Sequence, residues 1–326
     1  MEKLDFSNEG MILVLGVTGS GKSYFLNQLK SHSVQEGRGL QSETTECQAV
    51  QILLDDEQKR SITVVDTPGF DDTTRPHGEI LTEITEFLTT QHVLGIPLRG
   101  VLYLHKITDN RMTGSSLTYL NLLQSLLGEE ALENLILVTS MWNMLRDENL
   151  GQALQREQEL IDNYWAPMQK EGSYVVQFDG TPDSAFGLVY QLAGQDSVVL
   201  DVQRQIMDQG QSVLDTSAGI DLARQLERDM ETYRRKASQL EAQLQEELVA
   251  QPRNKERIRR LREEKAQMEK LTKLMKESMD CMKVRPGSSV RQRIRQALRD
   301  KGRDAAFILA TALHITLTVV QLGLGG

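Results

Sequence analysis

Three observations predict an α/β fold with a helical annex. Strand-like and helix-like segments alternate through the first 195 residues of this 326-residue chain. A glycine-rich turn separates the first strand from the first helix. Beyond Gly194 the strand signals stop and long heptad-like stripes take over. Alternating strands and helices imply a mainly parallel, doubly wound sheet whose ligand lies at the carboxyl ends of the strands. The predicted organisation is an α/β domain over 1–195 and an all-α extension over 196–285 with a hairpin turn near 252. A basic hinge and helix follow over 286–304, then an apolar C-terminal helix over 305–326.

The first strand is the apolar run Met11–Leu15, and it breaks into Gly16, four residues, Gly21, Lys22 and Ser23. This is the Walker A pattern, which makes the domain a P-loop NTPase. Glycines let backbone N–H groups turn inward around a phosphate, and the following helix adds its positive dipole end. Lys22 would reach the β- and γ-phosphates, and the Ser23 hydroxyl would hold Mg²⁺. Candidate nucleotide contacts are Gly16, Thr18, Gly19, Ser20, Gly21, Lys22, Ser23 and Tyr24.

A polar loop, Glu36 to Glu46, carries Thr44 and Thr45. Cys47 to Leu54 alternates as a strand, and with Ser61 to Val65 it reads as a hairpin. The second of these strands ends in Asp66-Thr67-Pro68-Gly69. A carboxylate there, followed by glycine, fits Walker B: Asp66 would anchor the metal shell, and the Gly69 N–H would meet a γ-phosphate. Short buried strands are predicted at Arg99–His105, Leu135–Thr139 and Tyr174–Phe178. Helical spacing marks Ile80–Thr89, Ser115–Leu127, Leu150–Trp165 and Ala185–Ala193.

The motifs GVTGSGKS, SETTECQ and VVDTPGFDD resemble the septin-related G domains of the translation-factor class. They are similar above all to the immunity-associated GIMAP (AIG-type) group and the chloroplast Toc receptors, and the VTSMW segment resembles fungal G-domain proteins. The resemblance covers residues 10 to 195 and implies a G domain that binds GTP or GDP with Mg²⁺ and hydrolyses GTP slowly. It places the first-switch hydroxyl at Thr44, with Thr45 as the fallback. It makes Arg111, in the loop HKITDNRMTGSS, a contact to a partner's phosphates across a G-face homodimer. A solvated loop arginine is the alternative.

Two departures from the family pattern stand out. Where the family carries [NT]KxD, whose Asp reads guanine, this chain has Thr139-Ser140-Met141-Trp142. Thr139 is kept and the carboxylate is lost, which weakens discrimination of guanine from adenine. Trp142 is expected either to stack on the base or to join the core, and Asp179 is a substitute carboxylate. Secondly, Phe70, Asp71 and Asp72 follow DTPG where Ras-like enzymes use a Gln to orient water. Slow GTP turnover tied to self-association is the resulting expectation. The alternatives are a non-hydrolysing scaffold or membrane receptor, and an ATPase or base-indifferent NTPase.

In the second half, Val198–Leu214 reads as a helix. Apolar residues then recur from Leu222 to Leu248 and from Ile258 to Met279, interrupted by Gln251-Pro252-Arg253-Asn254. This predicts an antiparallel hairpin, self-packed or docked on the G domain, with an intermolecular coiled coil as the alternative. Residues 252–304 hold 18 Lys/Arg against 8 Asp/Glu, although the whole chain carries a net charge of −9. That basic run, without interleaved aromatics or a recognition motif, makes nucleic acid an unlikely partner. The uncharged stretch AAFILATALHITLTVVQLGLGG reads as a helix, either a tail anchor or one buried against the hairpin. Its polar stripe of Thr311, His314, Thr318 and Gln321 makes a poor lipid-facing surface. The two distant cysteines and an N-terminus without an apolar core segment point to the cytoplasm, with a membrane tether if the last segment is an anchor.

Overall fold

The computed structural model describes residues 9–30, 48–55, 60–69, 75–250, 254–286 and 316–321. Seven strands form one sheet in the order β6-β5-β4-β1-β3-β2-β7. They are β1 (Glu9–Gly16), β2 (Gln48–Asp55), β3 (Arg60–Asp66), β4 (Leu98–Lys106), β5 (Leu135–Ser140), β6 (Tyr174–Gln177) and β7 (Thr316–Gln321). Among the described residues only the β2–β3 pairing is antiparallel.

The central strand β1 explains its own sequence. Met11, Leu13 and Leu15 point into one apolar layer, Ile12 and Val14 into the other, and all five are fully buried. A parallel strand covered on both faces has no polar side, so it reads as a continuous apolar run. One face carries α1 (Lys22–Leu29) and α6 (Pro182–Ala193), which supply Phe25, Leu26, Leu188 and Val189. The other carries α2 (His77–Leu94) and α3 (Gly114–Leu127). It also receives Trp165 and Met168 from the continuous helical stretch α4 (Asp147–Leu160), a π turn (Ile161–Trp165) and α5 (Ala166–Lys170).

Val198–Leu214 is not one helix, contrary to its spacing. It forms α7 (Asp201–Met207), breaks at Gly210 with φ +68°, and ends in a 3₁₀ turn, Val213–Asp215. Leu200, Val202, Ile206 and Val213 nevertheless join the core of the sheet's second layer, so position 195 marks no gap between two cores.

The hairpin is present, and it both packs on itself and docks. Thr216 caps α8 (Ser217–Val249) by accepting from the Gly219 N–H, and Asn254 caps α9 (Lys255–Cys281) by accepting from the Arg257 N–H. The ion pairs Glu247–Arg257 (3.4 Å) and Glu241–Lys265 (2.5 Å) show the antiparallel register. The far end has its own apolar cluster of Leu240, Leu244, Ile258, Leu261 and Met268. The near end, with Leu222, Leu226, Met230, Met275 and Met282, is part of the domain core. The methionines thus fill gaps at the joint, where an unbranched side chain adapts best. Cys281 is a free thiol at this joint, and Cys47 lies outside the described residues.

The C-terminal segment departs from its expected helix. Residues 316–321 form β7, paired in parallel with β2 from Gln48↔Thr316 to Leu53↔Gln321. Four of the six residues, Thr316, Thr318, Val319 and Val320, are β-branched, and such side chains favour an extended backbone. The strand also pairs the edge of β2 that would otherwise stand open. Residues 305–315 and 322–326 lie outside the described residues, as do 287–304. No helix among the described residues is long and apolar enough to cross a membrane.

One close approach between hairpin and sheet domain is at Gly78, in the first turn of α2. Its N–H donates to Ser278 Oγ at 2.6 Å, and a Cβ at this position would lie 1.9 Å from the Ser278 carbonyl oxygen. Gly78→Ala is therefore expected to destabilise the protein by about 1–3 kcal/mol, the usual cost of forced overpacking. It should also speed proteolysis of α9 more than that of β1. Urea unfolding with timed proteolysis checks this, and unchanged stability would show that the helix contact is looser than described.

Candidate functional site

The site assembles at the carboxyl edge of β1, β3, β4 and β5, where a parallel sheet leaves a crevice. Between β1 and α1 the chain loops through Gly16, Gly19 and Gly21 with φ values of +148°, +76° and +91°. Thr18 and Ser20 lie on the same loop. The Lys22 side chain is buried, and its Nζ donates to the carbonyls of Gly16 and Val17, each at 3.1 Å. An ammonium with three donors is thereby pinned across its own loop, at the place where the loop and the start of α1 favour an anion.

Next to it, Ser23 Oγ donates to Asp66 Oδ2 at 2.6 Å, joining the first turn of α1 to the end of β3. Thr67 Oγ1 donates to the Val14 carbonyl at 2.9 Å and fixes the start of DTPG against β1. Gly69 then runs so close to the P-loop that a Cβ there would lie 2.4 Å from Thr18 Oγ1. The sequence motifs separated by some forty residues therefore meet at one point. Thr44, Thr45, Phe70, Asp71 and Asp72 lie outside the described residues.

Asp66 is completely buried, and its Oδ1 has no hydrogen-bond partner among the described residues. Burial pushes its carboxyl up from 3.8 to about 6, against the opposing pull of the Lys22 charge and the Ser23 hydrogen bond. An unpartnered carboxylate oxygen beside a serine hydroxyl is a hard-oxygen donor set. It suits a Mg²⁺ that keeps several waters and takes few protein ligands. Among the described residues no cluster of three or more His, Cys, Asp or Glu is placed to hold a metal. Ser23 and Asp66 fit such an ion.

Arg111 is exposed on the loop after β4. It lines a cavity of about 400 Å³ together with Val17 of the P-loop, Lys106, Asp109, Ser115 and Ser116. Lys106 pairs with Asp109 at 3.2 Å.

At the opposite end of the crevice, the buried Thr139 hydroxyl donates to Glu157 Oε1 at 2.6 Å and accepts from Trp142 Nε1 at 3.0 Å. The indole N–H also reaches the Thr139 carbonyl, at 3.2 Å. Trp142 is half-buried and outside the apolar clusters, so its core reading does not hold. Ser140, in the place of the family's lysine, donates from Oγ to the Ser20 carbonyl at 2.7 Å and ties this end to the P-loop. Tyr24 Oη donates to the Gly180 carbonyl at 3.0 Å.

Asp179 is not a free substitute for the missing carboxylate. Its Oδ1 accepts from both the N–H (2.8 Å) and the hydroxyl (2.7 Å) of Thr181, which hold its carboxyl below the usual range and build the start of α6. Two residues escaped the sequence reading. Glu157 occupies the buried stripe Ala153-Glu157-Leu160 of an otherwise exposed helix, and its second oxygen accepts from Gln177. A carboxylate in an apolar stripe was the available signal. Asn143, one residue past the expected base-reading position, has its Nδ2 3.4 Å from Tyr24 Oη.

Together the P-loop, the Ser23–Asp66 contact and the sheet order define a P-loop G domain. Residues 10–171 match the model of the AIG1 family, a span from β1 to the end of α5. The G domain of this chain belongs to the AIG1 family. Among solved structures, the chain is similar to Toc33 from Arabidopsis thaliana in complex with GDP and Mg²⁺. That likeness has 17% identity over 60% of this chain and 88% of that one, with a TM-score of 0.47. Toc33 with Mg²⁺ and GMPPNP matches at 18% identity over 58% and 87%, with a TM-score of 0.45. A structure from work on dimerisation and GTPase activity of the chloroplast translocon components atToc33 and psToc159 matches at 17% over 59% and 86%, also at 0.45. No curated protein sequence matches the chain at a significant level.

The Asp66 carboxyl gives a pH test. Its folded value lies above the unfolded 3.8, so its stabilising protonated form is complete below about pH 4 and is lost as pH rises through about 6. At neutral pH the buried charge costs the nucleotide-free fold on the order of 3 kcal/mol. Asp66→Asn should therefore raise Tm of the nucleotide-free protein at pH 7.5, and the gain should vanish near pH 4. A gain that does not vary with pH would contradict this account of the buried carboxylate.

Proposed function

We propose that this protein is a guanine-nucleotide switch that binds GTP and GDP with Mg²⁺ and hydrolyses GTP slowly, with turnover coupled to association of two G domains. The observation that carries the reading is the packing of Lys22, Ser23 and Asp66 at one loop, with Lys22 Nζ bridging the Gly16 and Val17 carbonyls. Membership of the AIG1 family supports guanine as the base.

In this reading the P-loop N–H groups and Lys22 bind the β- and γ-phosphates. Ser23 and Asp66 hold the metal shell, with Thr44 as the first-switch ligand. Held there, Mg²⁺ would supply neutralisation of the phosphate charge. Gly69, packed against Thr18, presents its N–H toward the γ-phosphate. Trp142, half-exposed over the end of β5, stacks on the base, and Thr139 holds the indole in place. Arg111, beside the P-loop but exposed, meets a partner's phosphates. Catalysis rests on positioning and electrostatics rather than on a residue that orients water, and this keeps the isolated G domain slow.

Two outcomes test the proposal. Lys22→Ala should weaken Mg²⁺–GDP binding at least a hundredfold by calorimetry while leaving the circular-dichroism spectrum unchanged. Retained affinity would remove the phosphate site. GTP turnover per molecule should rise with protein concentration in the wild type and stay flat in Arg111→Ala. A concentration-independent wild-type rate would remove the association step and favour a G domain that works alone.

A further inference from the structure

We infer that Asn143 reads the edge of the base, with a side-chain amide where a carboxylate would take both guanine donors, so that the site's preference for guanine is shallow. The inference rests on the nucleotide site proposed above and names what that site distinguishes.

Four polar groups at the base end of the crevice are engaged elsewhere. Glu157 is held by Thr139 and Gln177 through separate oxygens. Asp179 is held by Thr181. Ser140 Oγ donates to the P-loop carbonyl of Ser20, and Tyr24 Oη donates to Gly180. Asn143 differs from all of them. Met141, the one non-glycine residue with positive φ (66°) among the described residues, turns the chain abruptly after β5. The short 3₁₀ turn Trp142–Met144 then leaves Asn143 exposed.

Asn143 lies beside the first turn of α1, on the phosphate side of the site. Its Nδ2 lies 3.4 Å from Tyr24 Oη, and Tyr24 follows Ser23 directly. Opposite it stands Gly180, with φ +88°, where a Cβ would come within 2.7 Å of Nδ2. Gly180 and Asn143 thus pack together past the ends of β6 and β5, and Tyr24, which meets Asn143, lies two residues after the P-loop lysine. The Asn143 Oδ1 accepts no hydrogen bond among the described residues.

The chemistry of the amide sets the selectivity. Guanine offers two adjacent donors, N1–H and the 2-amino group, and a carboxylate accepts both. An amide has one acceptor oxygen and an NH₂ that can only donate. Asn143 therefore takes N1–H and leaves the 2-amino group without a partner. A purine that lacks the 2-amino group loses nothing, so hypoxanthine should bind as well as guanine. This contrasts with sites that hydrogen-bond every substrate donor and reject analogues steeply.

The test is competition of GDP, IDP and ADP, each with Mg²⁺, against a fluorescent GDP on the full chain, Asn143→Asp and Asn143→Ala. Asn143 is exposed, so both variants should keep the wild-type Tm. Expected are GDP and IDP within threefold of one another on the wild type. Asn143→Asp should open that ratio to tenfold or more in favour of GDP, and Asn143→Ala should weaken GDP and IDP alike. A wild-type preference for GDP over IDP beyond thirtyfold would overturn the inference, as would a ratio that Asn143→Asp does not move, while leaving the phosphate site standing. Failure of all three diphosphates to bind would overturn the nucleotide site itself, and the inference with it.

Discussion

The hydrogen bond from Ser23 Oγ to the buried Asp66 carboxylate joins the two halves of the site at their polar point. It closes the space between the first turn of α1, which follows β1, and the end of β3, and β1 and β3 are neighbours in the sheet though apart in sequence. Burial makes this contact expensive for the empty protein, because a carboxylate away from water prefers to be protonated. The Lys22 charge and the Ser23 donor offset part of that cost. In the proposed function, a bound cation would offset the rest of that cost, so the carboxylate's function and its burial pull stability in opposite directions.

The remainder of the architecture serves that point of contact. A sheet buried on both faces fixes the strand ends to within side-chain packing tolerance, and Thr67 and Ser140 then pin the loops to the strands and to one another. The helical hairpin is joined to the same framework through α2, the helix that follows DTPG. Met275 and Met282 from the hairpin enter the domain core, and the Ser278 hydroxyl accepts from the Gly78 N–H. Only the far half of the hairpin, beyond Met230, stands on its own apolar cluster with ion pairs along its flanks.

Much of this was legible in the sequence, for physical reasons that differ by region. The P-loop and DTPG were readable because phosphate chemistry demands particular residues at fixed spacing. The strands were readable because β1 and β5 are apolar on both faces. The hairpin was readable because its stripe keeps a spacing of three and four for more than twenty residues. Legibility failed where tertiary contacts override local pattern. Val198–Leu214 has helical spacing, yet Gly210 breaks it so that Val213 can reach the core. The segment around Thr316–Gln321 is apolar enough for a helix, but an unpaired strand edge recruits it instead. Glu157 and Asn143 were missed because their roles depend on which neighbours already have partners, and one-dimensional spacing carries no such information. Asp179 erred the other way: a carboxylate near the site by sequence is committed to a helix start by geometry.

The central claim is that Ser23 and Asp66 form one oxygen site for a cation between two loops. The most direct measurement is a double-mutant cycle, Ser23→Ala and Asp66→Asn alone and together, read as the gain in affinity for a non-hydrolysable GTP analogue when Mg²⁺ is added. The account predicts that either substitution abolishes the Mg²⁺-dependent gain and that the double variant loses no more than either single one. Additive losses, or a gain that survives in either single variant, would mean that the two groups do not act on a common ion.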